Sequence, residues 1–342
     1  MICETHDAKG EKTMKRIVML LFVLLPVEGM AQAKNPTYNR LDVINMRDQG
    51  IPADERATNV LVAAGDVVYG ATSGDKCHVF RFDPGSSEIT VLATIPGPNT
   101  VLRGLVVIDD TLYVGTMWTK RQVWLKQRET DRTYDFEETN LLPIKDSYRT
   151  GHLYKVSGIN DANPQLKHLG VPVPNQGVHT MASDAYRGLI YGVTSPNGRF
   201  FIHDTKTGKT EHTSFGRTYT NVSNHMVAYA EVERELADLV PGEGEWNNRL
   251  IPMAMHVARD GTLYTSGWKG RIVRYDPNVP DIQKRFSVVG WIPSVPGRQY
   301  WNRIDAIVEQ GGRLIIGTSD GYIIRLDPGT GEIDNFGKPI RA

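Results

Sequence analysis

Five stretches of this chain repeat one pattern. HVFRFDPGSSEI (78–89), HLYKVSG (152–158), FFIHDTKTGKT (200–210), RIVRYDPNV (271–279) and YIIRLDPGTGEI (322–333) are each a short strand closed by a turn. A second shared element lies upstream of each: VVYGAT at 67, TLYVGT at 111, LIYGVT at 189, TLYTSG at 262 and RLIIGT at 313. Before these come NVLVAAGD, RGLVVIDD, HTMASDAYRG, MHVARDG and DAIVEQGG, and after the pattern come TIPG, LGVP, FGRT, GWIP or FGKP. Four short strands joined by tight turns and repeated are the signature of propeller blades. The sequence therefore predicts an all-β fold, a β-propeller of four-stranded blades.

Spacing sets the blade number. The turn positions Asp83, Ser157, Asp204, Asp276 and Asp327 are separated by 74, 47, 72 and 51 residues. The shorter intervals hold a bare blade, and the longer ones hold a blade and an extra segment. Five repeats are recognisable, although the length would accommodate up to seven. The extra segments fall at 118–150 and 217–250. Tyr38 to Asp48 is expected to supply an outer strand that closes the ring, leaving no sheet edge unpaired.

The pentapeptide Gly317-Thr-Ser-Asp-Gly321 matches G-x-S-x-G, the turn that exposes a hydrolase nucleophile between a strand and a helix. Here apolar runs flank it on both sides, Arg313–Gly317 and Tyr322–Leu326, so a hairpin is predicted and Ser319 is read as a turn residue.

The N-terminal region carries an export pattern. Lys15-Arg16, the nine-residue apolar run from Ile17 to Leu25 and Ala31-Gln-Ala33 match the three parts of a signal peptide. Met14 is read as the start of the signal proper, cleavage is expected after Ala33, and the protein is expected to be secreted or periplasmic, as in bacteria. Residues 34–342 are then one propeller domain. The apolar run is too short to span a bilayer, so no membrane span is expected. Lys plus Arg and Asp plus Glu each number 39, which gives no support for nucleic acid as a partner. The lone cysteine of this region, Cys77, excludes a disulfide framework and is read as a packing residue.

The repeats resemble those of secreted quinoprotein-like and YVTN-type propellers, on the Y-V/G-G-T hairpins followed by RYDPNV and RLDPGTGEI, over essentially all of 34–342. That resemblance implies the fold and little about function. An exported single-domain propeller also has a distant similarity in architecture to the propeller polysaccharide lyases that cleave uronic-acid glycans. No catalytic motif of theirs aligns here, so no residue is carried over from them.

Blade topology turns the insertions into a clue. In a four-stranded up-and-down blade, connections from second to third strand and from fourth strand to the next blade emerge on one face. Both extra segments rise from that face, beside the mouth of the central channel, and long loops on one end of a rigid scaffold are where function is usually placed. The candidate catalytic residues there are His179, His225 and Tyr219 as acid or base and Arg303 to neutralise a carboxylate. Candidate substrate-binding residues are Arg103, Arg217, Trp118, Asn224, His256, Tyr300, Trp301 and Asn302. Aromatic rings stack on pyranose faces, while guanidinium and amide groups donate to hydroxyls and carboxylates. The expected function is action on carbohydrate, as a polysaccharide lyase or a glycosidase, with a polysaccharide or oligosaccharide as partner. The alternative is a non-catalytic propeller that holds a glycan or a protein partner on the same face. Asp305, Glu243 and Glu245 are candidate carboxylates for a hydrolase, with nothing pairing them. No nucleotide, cofactor or metal motif occurs, and any metal would need ligands gathered from several blades.

Overall fold

A computed structural model describes residues 44–52, 57–74, 76–97, 101–117, 151–174, 176–195, 199–212, 252–266, 270–280, 285–296 and 302–339. They form five four-stranded antiparallel sheets, each of four consecutive strands in chain order. The first sheet holds β1 (Ala57–Ala64), β2 (Val67–Ser73), β3 (Cys77–Asp83) and β4 (Glu88–Ile95). The second holds β5 (Leu105–Ile108), β6 (Thr111–Gly115), β7 (Leu153–Ser157) and β8 (Gln165–Gly170). The third holds β9 (Gly177–Asp184), β10 (Leu189–Ser195), β11 (Phe200–Asp204) and β12 (Thr210–His212). The fourth holds β13 (Met255–Val257), β14 (Leu263–Ser266), β15 (Arg271–Tyr275) and β16 (Phe286–Trp291), and the fifth β17 (Ile304–Gln310), β18 (Arg313–Thr318), β19 (Ile323–Leu326) and β20 (Ile333–Asn335).

The core lies between blades. One cluster joins the first and second blades through Tyr69, Val79, Leu112 and Val156, and another joins the second and third through Tyr113, Leu153, Ile190 and Phe201. A third packs Tyr191 and Phe200 against Tyr275 and Phe286, and a fourth packs Tyr264 and Ile272 against Ile304 and Ile316. Side chains alternate across a strand. Ile190 thus faces one neighbouring blade and Tyr191 the other, which is why these strands read as nearly continuous apolar runs rather than as apolar-polar alternation. Burying each of these large side chains contributes about 1.5–3 kcal/mol.

Two hydrogen bonds explain the recurring letters. The threonine closing the second strand accepts the backbone N–H of the residue that opens the third: Thr72 from His78 at 2.8 Å, Thr116 from His152, Thr194 from Arg199 and Thr318 from Tyr322, each at 3.1 Å. The aspartate ending the third strand accepts the N–H two residues on, from Gly85, Lys206, Asn278 and Gly329, at 2.7–2.9 Å. These are Asx turns, the short-range bond that favours Asp at a turn.

The closing strand expected over 38–48 falls only in part on described residues. Residues 46–49 form a 3₁₀ turn capped by Asn45, and Gln49 accepts the N–H of Ile89 at the outer strand β4. Each sheet completes its four strands from its own stretch of chain, so the described part of 38–48 adds no strand to close the ring. The Asn45 side chain accepts from Arg47 N–H, which favours a turn over an extended segment. Residues 1–43 fall outside the described part. Among described residues, no helix is long and apolar enough to cross a membrane.

Candidate functional site

First strands of successive blades touch one another, β1 to β5, β5 to β9, β9 to β13 and β13 to β17. They therefore line the axis. The ends of β6 and β12 and the starts of β7 and β13 lie on the face where these first strands begin.

Arg103 sits at the centre of that face. Its backbone N–H donates to the carbonyl of His179, and its own carbonyl accepts from Met181, both at 3.1 Å, which ties the entry of the second blade to β9 of the third. Its Nη1 donates to the carbonyls of Met253 and Asp305, both at 2.7 Å. One residue thus joins four blades. Burial holds its guanidinium below the usual range, with nearby Arg303 acting in the same direction and Asp305 opposing; the group remains a cation.

His179, on β9, is buried. Its Nδ1 has no hydrogen-bond partner among the described residues. Burial first, then the charges of Arg103 and Arg303, push its pKa down to about 4, with the Pro252 main chain opposing. At neutral pH it is an uncharged imidazole beside two guanidinium groups.

Arg303 lies beside Asp305, Nε to carboxylate 3.7 Å, with 45% of its side chain exposed. It is held at the backbone: its N–H donates to Ser319 Oγ, and its carbonyl accepts from Ser319 N–H, each at 2.9 Å. The G-x-S-x-G turn is a hairpin between β18 and β19, with Gly321 at φ 82°. Its serine steadies the loop that carries Arg303. Asn302 is buried, donating to the Pro293 carbonyl at 2.7 Å.

His256 lies in the interface between the fourth and fifth blades, its Nε2 3.6 Å from Glu309, which also accepts the Arg259 N–H. Burial lowers its pKa, against the pull of Glu309. Tyr219, His225, Arg217, Trp118, Asn224, Tyr300 and Trp301, and the carboxylates Glu243 and Glu245, lie outside the described residues. The structure thus brings Arg103, His179 and Arg303 together and sets His256 against a different partner.

Two side chains that the sequence reading passed over share this face. Arg199 and Arg271 open or immediately precede the third strand of the third and fourth blades, and both are buried. Burial pushes the Arg199 guanidinium down to about 9. The signal was legible in RFFIHD and RIVRYD, where arginine holds the position taken by histidine in HVFRFD and HLYKVS. Among described residues, no group of three or more His, Cys, Asp or Glu is placed to hold a metal ion.

No protein-family description matches the chain, and no curated protein matches it in sequence. Solved structures do match in shape. The Dos1 propeller is 13% identical with a TM-score of 0.47, over 83% of this chain and 61% of that one. The nidogen/laminin complex gives 12% identity and 0.46 over 80% and 76%. The computationally designed Ika8 protein gives 12% and 0.42, over 81% of this chain and 60% of Ika8. With TM-scores below 0.5, these likenesses say nothing about chemistry.

Proposed function

We propose that the channel mouth of this exported propeller takes an acidic carbohydrate, with a carboxylate held at Arg103 and Arg303 and His179 beside it. The observation that carries the reading is the neutral, buried imidazole of His179, its Nδ1 without a partner among the described residues, set next to two guanidinium groups. Planar guanidinium groups recognise carboxylates better than any other side chain. A bound carboxylate would offset the two positive charges that depress His179, leaving burial as the opposing influence. Its proton affinity would then rise when substrate is present.

That coupling suits β-elimination on a uronate. The guanidinium groups neutralise the carboxylate and acidify the adjacent C–H, and His179 accepts the proton. The electron pair of the C–H bond becomes the new C=C bond as the C–O bond to the leaving sugar breaks. The leaving oxygen then takes a proton from an acid such as Tyr219 or His225. The second reading, a binding propeller without turnover, is favoured by the low proton affinity of His179 in the free protein, which makes it a weak base unless the ligand reverses the shift.

The test is a panel of uronate-containing and neutral polysaccharides, with binding measured by calorimetry and elimination by ultraviolet absorbance of the unsaturated uronate. Binding confined to acidic glycans and weakened by Arg303→Gln supports the site. Equal binding of neutral glycans, or binding indifferent to Arg303→Gln, overturns it. Absorbance that vanishes in His179→Asn establishes the lyase; binding without absorbance establishes the scaffold.

A further inference from the structure

His152 and His168 stand on the third and fourth strands of the second blade, away from Arg103 and His179 in the sheet. Tyr154 and His168 are directly paired between β7 and β8, with a bulge between Leu153 and Tyr154. His152 lies two residues from Tyr154, so its side chain shares the face of His168 as a diagonal neighbour. His152 Nδ1 is 3.0 Å from His168 Nε2. The ring centroids are 5.0 Å apart, and the Tyr154 ring lies 5.0 Å from that of His168 and 6.1 Å from that of His152.

Two imidazole nitrogens that face each other at this distance either share one proton or share one metal ion. Metal–imidazole bonds are about 2.0–2.1 Å, so two nitrogens bound at a right angle lie about 2.9 Å apart, and two at the tetrahedral angle about 3.4 Å. The observed 3.0 Å lies between the two values, so a rotation of the rings reaches either. Right-angled nitrogen ligation is the preference of tetragonal copper(II) and nickel(II), and copper(II) also heads the affinity order for such donors.

We propose that His152 and His168 form a two-imidazole site for a divalent transition ion, copper(II) before nickel(II) and zinc, the other positions being filled by water. Metal entry requires the donor ring to carry its proton on its other nitrogen, by tautomer exchange through solvent, and a pivot of the rings so that both lone pairs meet off the line between them. His168 is exposed, which gives the ion a path and the ring room to turn. The site pins the outer strand β8 to β7, and it is independent of any carbohydrate at the channel.

The experiment is a titration of the purified chain with copper(II) chloride, read by calorimetry and by electron paramagnetic resonance. The chain has nine histidines, so the reference is the His152→Ala/His168→Ala double variant. The expected result is one site per chain that binds at least about tenfold more tightly than anything in that variant, with hyperfine structure from two nitrogens. Loss of the site in His168→Ala, a surface change checked by an unaltered melting curve, supports the assignment even if His152→Ala fails to fold. A parent chain that binds no better than the double variant, or a strong site that survives His168→Ala, overturns it.

Discussion

Arg103→Met removes the cross-blade strut while keeping much of the length of the side chain. The two bonds it deletes, 2.7 Å each from Nη1 to the Met253 and Asp305 carbonyls, are donated by a cation. Such bonds contribute about 1.5–3 kcal/mol each. Arg103 is only half-buried, so water recovers part of the loss at the two carbonyls, and the net cost is about 3 kcal/mol. For a domain of this size a melting point falls about 2–4 °C per kcal/mol, giving a drop of roughly 6–12 °C by calorimetry. Arg103→Lys should recover only a fraction, because both bonds come from Nη1 at the far end of the guanidinium and the shorter lysine chain sets its ammonium back from the two carbonyls. Arg303→Gln is the control: its guanidinium is 45% exposed and its ion pair with Asp305 is long, so stability should change by less than about 0.5 kcal/mol. If Arg103→Met melts within about 2 °C of the parent chain, the strut carries no load and the reasoning fails.

Acid should unfold the protein partly through His179. Its folded pKa of about 4 lies below the ordinary 6.5, so the unfolded chain binds the extra proton: stability is full above pH 6.5 and falls as pH drops towards 4, by about 3 kcal/mol. Denaturant melts of His179→Asn should show a shallower slope across that window, with a remainder from His203 and His256, which burial shifts the same way; an unchanged slope sinks the assignment. Gly70→Ala and Gly192→Ala should each destabilise by about 1–3 kcal/mol, because a Cβ would meet the Phe80 ring at 2.3 Å and the Phe201 ring at 2.2 Å. Wild-type urea midpoints would show that those rings move aside freely. Asn302→Ala should cost about 1–3 kcal/mol in the same assay by leaving the Pro293 carbonyl without its donor.

The blades were legible because their signals are local. A strand followed by Asp-Pro-Gly encodes its own turn, since Asp327 accepts the Gly329 and Thr330 N–H groups a few atoms away. The threonine bonds of the first, third and fifth blades span 6, 5 and 4 residues, whereas Thr116 meets His152 36 residues on. Ser319 could be read as a hairpin residue for the same reason, from its flanks. At 44–48 ring closure is a global requirement that no local signal encodes, whereas the bond from Arg47 N–H to Asn45 that fixes the turn is local. Site residues were legible by position only. The start of an inner strand marked Arg103, His179 and Arg303, but no sequence rule shows that the Arg103 head reaches two carbonyls 150 and 202 residues away in the chain.

That reach has a consequence for function. In a propeller the first strands converge on the axis, so polar residues at their starts serve the closure of the ring and the floor of the channel together. Arg103 spends Nη1 on main-chain carbonyls and leaves the rest of its guanidinium beside His179, which makes the cation of the candidate site also its keystone. A carboxylate bound there would draw on a charge already held in place by four blades, and pre-organised donors bind without an ordering cost. Loss of activity in an Arg103 variant therefore cannot separate fold from recognition. Arg303 can, because it is exposed, anchored by its backbone through Ser319, and replaceable without disturbing a blade.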